Sequence, residues 1–302
     1  MAPIFKNRPV QGTGDNASAG YHGYWITDFT QVDPHFGTNK DLETLISKAH
    51  AKGMKVFFDV ITNHTADVVD YQEKSYDYLS KGAFPYLTKN GEPFDDADYA
   101  SGAKRFPAVD TDSFPRTPTT TARSKVPSWL NDPTMYHNRG DSTFAGESSE
   151  QGDFSGLDDL WTERPEVVTG MEKIYQRWVR DFDIDGFRID TVKHVDMAFW
   201  TQWATALDAY AAKKGRDDFF MFGEVYSADT AVTSPYVTQA ASTPPSTSPS
   251  RRRPASTPPR AAAPRRCPGS SATTTSTRPT RPTRTSRSPS SATTTWAASG
   301  TS

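Results

Sequence analysis

Two acids, and an arginine two residues from one of them, are the residues of this sequence with the clearest chemistry. In the stretch Ile184 to His194, Ile-Asp-Gly-Phe-Arg-Ile-Asp-Thr-Val-Lys-His, the first half reads as a short buried strand. Strand side chains alternate between faces, so Arg188 and Asp190 point the same way, and a guanidinium two residues from a carboxylate keeps that carboxylate ionised. An ionised Asp is a nucleophile. A second acid ends another apolar run, Phe219 to Glu224, and a third run, Lys55 to Asp59, leads into Asn63 and His64. Taken singly, each has a plainer alternative: an Arg and an Asp near a strand end form an ion pair, and a lone His is a satisfied surface or core residue.

The elements needed to position these groups follow from hydrophobic periodicity. Asp41 to Lys52 places Leu42, Leu45, Ile46 and Ala49 at helical spacing, with Thr38 or Asn39 as cap and Gly53 as stop. Glu166 to Phe182 brings Val167, Met171, Ile174, Trp178 and Val179 close to one face, behind a Pro165 whose missing amide donor costs nothing in a first turn. Met197 to Lys213 carries Phe199, Trp203, Ala206, Leu207 and Tyr210, and Gly215 follows it. Helix, strand, helix, strand is the order of an α/β fold, and a parallel (β/α)8 barrel keeps its active site at the carboxyl ends of its strands. Pro3 to Phe5 reads as the end of one further strand. Between 65 and 155 no period is visible, and Gly, Pro, Asp and aromatics are scattered. That stretch is too long for a loop and predicts a small inserted domain.

Composition narrows the function classes. The net charge of −2 conceals two unlike parts. Ten arginines lie between Arg251 and Arg287 in a tail without Asp or Glu, which leaves 24 basic against 36 acidic residues in the remainder. Such an acidic body is unlike a nucleic-acid binder, and the basic tail carries no helix-turn-helix, zinc or RNA-binding signature. Cys267 is the single cysteine, so no intrachain disulfide forms. The apolar runs are too short to span a bilayer, and no signal peptide precedes the first motif.

The motifs carry a resemblance. Asp59-Val-Ile-Thr-Asn63-His64, then Gly186-Phe-Arg188-Ile-Asp190-Thr-Val-Lys193-His194, then Gly223-Glu224-Val resemble three conserved regions of the alpha-amylase family of glycoside hydrolases, glycoside hydrolase family 13. Tyr21-His22-Gly23-Tyr24-Trp25 and Leu157-Asp158-Asp159-Leu160 resemble two more, and Asn131 to Gly140 resembles a segment of its bacterial amylases and cyclodextrin-forming members. The resemblance implies a partial (β/α)8 barrel, with strands two and three in 1–64, an inserted domain after the third strand in 65–155 and strands four and five in 156–239. The barrel's first strand and helix are then not in this chain.

The implied chemistry is retaining hydrolysis of an α-glucosidic bond. Asp190 would attack the anomeric carbon and Glu224 would protonate the leaving oxygen, then deprotonate the incoming water, from carboxyls about 5 to 5.5 Å apart. By the same resemblance Tyr24 stacks on the glucose being cleaved, while His64, Arg188, Lys193 and His194 contact the sugar and Asp59 braces the loop. Calcium would be held by Asn63, Asp159 and the backbone carbonyl of His194, hard oxygen ligands that suit this ion. An α-glucan is the implied partner, with no nucleic acid or membrane, in a monomeric enzyme whose parent is extracellular. Outside the motif, Asp158 and Asp159 would read as solvated turn residues and Tyr24 as an ordinary loop aromatic.

The tail does not fit this picture. The family uses a third carboxylate in an Asn-His-Asp motif on its seventh strand, and this sequence has none. From Ala240 to Ser302 every residue is Ala, Ser, Thr, Pro, Arg, Gly, Cys or Trp, so this Ala/Ser/Thr/Pro/Arg-rich tail is expected to be disordered. These eight amino acids share codons with C or G in the middle, as expected of a GC-rich gene read out of frame. Moving the frame back one base, with a consistent choice of codons, puts Asn-His-Asp at Thr293, Thr294 and Thr295.

Overall fold

The computed structural model describes residues 1–120, 123–227, 229–238 and 293–296. Three strands run parallel: β3 (Phe57–Val60), β4 (Gly186–Ile189) and β5 (Phe220–Glu224), with β4 in the middle. Ahead of them, β1 (Phe5–Asn7) pairs antiparallel with β2 (Ile26–Val32). The expected strand end at Pro3 to Phe5 is therefore displaced: the pairing with β3 is made by Met1, whose amino group donates to the Phe57 carbonyl at 3.0 Å and whose carbonyl accepts from the Asp59 amide at 3.1 Å.

Alternation sorts the parallel strands into two faces. Phe58, Phe187 and Met221 are buried against the helices, whereas Phe57, Asp59, Arg188, Phe222 and Glu224 occupy the other face. The helices form where the spacing predicts. In α1 (Asn39–His50), Thr38 and Asp41 make a reciprocal capping box and Leu42, Ile46 and Ala49 are buried. In α2 (Pro165–Asp181), Pro165 opens the first turn and Val167, Met171, Ile174, Trp178 and Val179 pack into the core. In α3 (Met197–Lys213), Asp196 caps by accepting from the Ala198 amide, and Phe199, Trp203 and Leu207 are fully covered. Burial of each such side chain contributes about 1.5–3 kcal/mol.

Residues 65–155 form short antiparallel ribbons, Val69–Tyr71 with Pro118–Thr120 and Tyr86–Leu87 with Pro93–Phe94, joined by irregular chain. Tyr86, Phe114 and Trp161 make a separate aromatic core with Phe94, Phe106 and Val109 around it. The ε-ammonium of Lys125 pairs with Asp158, both almost fully buried, and Asp158 also accepts from the Val68 amide at 2.9 Å. This pair pins the irregular region to the Leu157–Leu160 turn.

Two further elements were not legible in the sequence. A helix, α4 (Thr230–Thr238), follows β5, and a strand, β6 (Thr293–Trp296), pairs antiparallel with β5. The expectation of a disordered tail is thus corrected at these four residues. The edge of β5 away from β4 has backbone donors and acceptors that β6 takes up, and a Thr-Thr-Thr-Trp run has the β-branched and aromatic character that suits a strand. The rest of that expectation, with Cys267 and the tail arginines, lies outside the described residues.

Candidate active site

The carboxyl ends of β3, β4 and β5 bring the acids together. Register sets the geometry: Arg188 lies opposite Asp59 on one side and Phe222 on the other, and Ile189 opposite Val60 and Gly223. One step further along both strands puts Asp190 beside Glu224. Neighbouring strands run about 4.8 Å apart, so two side chains at equal register on one face start at that separation. The Asp190 amide continues the ladder by donating to the Val60 carbonyl at 2.9 Å. At Thr191 the chain then turns with φ +52°, a left-handed conformation that a β-branched residue adopts only under strain, and the strand stops directly after the acid.

A single guanidinium joins the cluster. Nη1 of Arg188 donates to Asp59 and Asp190, each at 2.8 Å, and Nη2 pairs with Glu224 at 2.8 Å. The alternation argument for Arg188 and Asp190 is thereby realised, and a third acid joins them. Asp59, read from the sequence as a brace for the loop, is on the reacting face and is buried. Its second oxygen accepts from the Tyr24 hydroxyl at 3.2 Å. Burial pushes the Asp59 carboxyl up to about 6 against the opposing pull of Arg188, and burial together with Asp59 pushes the Tyr24 phenol up to about 12. The signal that could have placed Asp59 here is parity: it shares a strand face with Phe57, which meets Phe222 of β5, across β4, at 5.7 Å between ring centroids.

The remaining candidates surround this cluster. His64 is buried, stacked on Phe154 at 5.5 Å, and burial lowers its pKa to about 4, so it is a neutral imidazole. Its Nε2 has no hydrogen-bond partner among the described residues. The loop that carries it is fixed from below by Tyr175 of α2, whose hydroxyl accepts from the Ile61 amide at 3.1 Å and donates to the Ile61 carbonyl. His194 is also buried, and its Nδ1 meets the Ser149 carbonyl at 2.7 Å, tying the irregular region to the end of β4. A cavity of about 360 Å³ opens beside Glu224, lined by Thr191, Lys193, His194, Phe144, Phe154 and Tyr226. Lys193 donates to the Tyr226 carbonyl at 3.2 Å.

Two groups of residues bear on metals. At the first, Asn63 Oδ1 is buried without a partner among the described residues, and the buried Asp159 carboxyl is pushed up to about 7 by desolvation. The orphaned amide oxygen is what a hard cation would relieve, while the Asp159 carboxyl already meets His137 Nδ1 at 2.7 Å. The second, Asp96, His137 and Glu163, has its ligand atoms within 4.8 Å of one another. Here the charges are already matched. His137 bridges Asp159 at 2.7 Å and Glu163 at 2.9 Å, which outweighs burial and pushes its pKa up to about 10. Asp96 takes Lys81 and the Trp161 indole N–H, each at 2.8 Å.

Parallel strands flanked by helices define an α/β fold of the barrel class, with its acids at the carboxyl ends where such barrels keep their reactive groups. Residues 1–244 match the family "Alpha amylase, catalytic domain", and the chain belongs to that family. Over 242 residues it is 87% identical to an alpha-amylase of Streptomyces lividans, a match that covers 79% of this chain and 26% of that protein. It is 28% identical over 241 residues to a cyclomaltodextrin glucanotransferase of Geobacillus stearothermophilus, covering 77% of this chain and 27% of the relative. The chain thus spans about a quarter of the length of these relatives. Among solved structures, the alpha-amylase of Geobacillus thermoleovorans complexed with acarbose superposes with TM-score 0.51 at 31% identity, over 79% of this chain and 39% of that one.

Proposed function

We propose that this chain carries the acid pair of a retaining α-glucan hydrolase, with Asp190 as nucleophile and Glu224 as acid and base. The observation that carries this reading is the one guanidinium shared by both carboxyls at equal register on adjacent strands. A guanidinium that contacts both carboxyls at 2.8 Å draws them toward each other, and a double-displacement mechanism uses carboxyls about 5–5.5 Å apart. Asp190 forms the bond to the anomeric carbon as Glu224 gives its proton to the departing oxygen. Glu224 then takes a proton from water as the glycosyl bond to Asp190 breaks. Arg188 holds both acids in place, Tyr24 and His64 contact the sugar on the Asp59 side, and Lys193 and His194 line the leaving-group side.

In this reading β3, β4 and β5 are staves three to five of a (β/α)8 barrel, with the start of the chain at the end of the second stave, 65–155 as the inserted domain and 156–239 carrying staves four and five. Asn63, Asp159 and the His194 carbonyl would hold calcium, which would supply a fixed charge fastening the inserted domain to the sheet. A relative named as a periplasmic alpha-amylase of Escherichia coli supports an exported protein acting on α-glucan. The frame-shift reading of the tail is supported by the break itself. The family match ends at residue 244, within a few residues of Ala240, where the composition changes, and the Streptomyces identity covers 242 residues.

The sequence contains no Asn-His-Asp, so the site lacks the third acid of its family. The expected result is α-glucan binding with little or no turnover of a chromogenic maltooligosaccharide, and none from Glu224→Gln. A saccharide- and calcium-binding remnant is the second reading, favoured by that missing acid. No turnover by either protein would leave only the remnant. Turnover that survives Glu224→Gln refutes the assignment of the acid.

A further inference from the structure

A second cavity lies away from the acids, against the first turns of α2. It has a volume of about 640 Å³ and none of its lining residues belongs to the active site. That size falls within the range of small-ligand sites. Its floor is apolar, made by Pro127, Trp129, Met135, Pro165 and Ile174. Trp129 lies on the helix at Gly170, where an added Cβ would stand 2.5 Å from its Cζ2, so glycine lets the indole lie flat on the helix backbone. The indole N–H makes no hydrogen bond among the described residues, and the ring is only partly buried.

The rim differs from the floor. Thr30 and Thr169 supply hydroxyls, and Glu166, Lys173 and Arg177 supply charges of mixed sign. Glu166 is already paired with Arg164 at 3.2 Å and Arg177 with Asp181 at 3.4 Å, while Lys173 makes no hydrogen bond among the described residues. A strongly charged ligand would find no excess of the opposite sign here. A wholly apolar ligand would strip water from the rim and give it no partner. A neutral ring with one C–H face and a girdle of hydroxyls meets both, laying its face on the indole and its hydroxyls on the rim.

We infer that this cavity is a second α-glucan site, with Trp129 as its platform and Thr169, Lys173 and the indole N–H as hydrogen-bond donors. The inference rests on the α-glucan reading of the active site, since a polymeric substrate brings further glucose units within reach of the same molecule. The platform is preorganised by its seat on Gly170, which lowers the ordering cost of binding.

The test is a titration of maltoheptaose into the full chain with 15N-labelled tryptophan, following the Trp129 indole resonance identified with Trp129→Phe. The expected result is a saturating shift at millimolar sugar, weakened about tenfold, or about 1.4 kcal/mol, in Thr169→Arg. Thr169 is exposed, so that variant fills the mouth of the cavity without touching the core. His64→Ala, in the active site, is expected to leave the shift in place. An indole resonance that does not move at millimolar sugar, or one whose movement is lost in His64→Ala and kept in Thr169→Arg, overturns the inference. Failure of the active-site reading looks different: His64→Ala then leaves the chain's total affinity for maltoheptaose unchanged while the Trp129 resonance still responds.

Discussion

Asp59 gives the most direct test of the electrostatics at this site. Its carboxyl is buried among Arg188, Tyr24 and Asp190, and its pKa is raised from 3.8 to about 6. A group that binds its proton more tightly in the folded state favours folding when protonated. Stability is therefore fully present below the unfolded value near 4, falls as pH rises from there to about 6, and stays lower above it. A shift of about two pKa units at 1.36 kcal/mol each gives a loss of order 3 kcal/mol between pH 4 and pH 7. Asp59→Asn keeps an oxygen to accept from Arg188 and an amide that can donate to the Tyr24 hydroxyl, and it cannot ionise. Urea denaturation read by tryptophan fluorescence, at pH 4 and pH 7, measures the effect in both proteins. Other buried acids contribute to each pH slope, but they are common to both and cancel in the difference. The variant should be the more stable at pH 7 by up to that amount, and the gap should close at pH 4. A gap that is absent at pH 7, or equal at the two pH values, would show that Arg188 compensates the burial of Asp59 in full.

Two more predictions concern how the irregular region is held. Lys125→Met leaves the Asp158 carboxylate buried without its cation, and loss of one partner of a buried pair costs about 3–5 kcal/mol; a loss under about 1 kcal/mol in urea denaturation would show that water reaches Asp158. Calcium at one hundred times its dissociation constant should stabilise the chain by about 2.7 kcal/mol, seen as a melting temperature that falls on adding a chelator. In Asn63→Ala that fall should shrink or vanish, and an undiminished fall would move the ion elsewhere.

What the sequence revealed and what it hid divide along a physical line. Short-range rules worked. The capping box at Thr38 and Asp41, Pro165 at the head of α2 and the stripes of α1, α2 and α3 are all consequences of residues within a turn or two of each other. Strand parity likewise put Arg188 and Asp190 on one face. Parity also applies to Asp59, and the sequence reading passed it by because a lone carboxylate inside an apolar run reads as a brace. Its role depends on register across strands far apart in the chain, where Asp59 falls opposite Arg188.

The same limit hid the charge matching around the irregular region. His137, Asp159 and Glu163 lie close enough in sequence to be noticed, yet nothing in their spacing says that His137 bridges the two acids, or that Lys81 reaches Asp96. That arrangement separates two jobs that acidic residues do here. Asp96 and Glu163 are satisfied by side chains already present, whereas Asn63 Oδ1 is left unpaired. If a divalent cation binds at the junction, its place is therefore set less by the number of acids nearby than by which buried oxygen the protein itself leaves without a donor. Asn63 and His64 are adjacent, each with one unpaired polar atom, so the turn after β3 offers one atom to a cation and the next to a sugar.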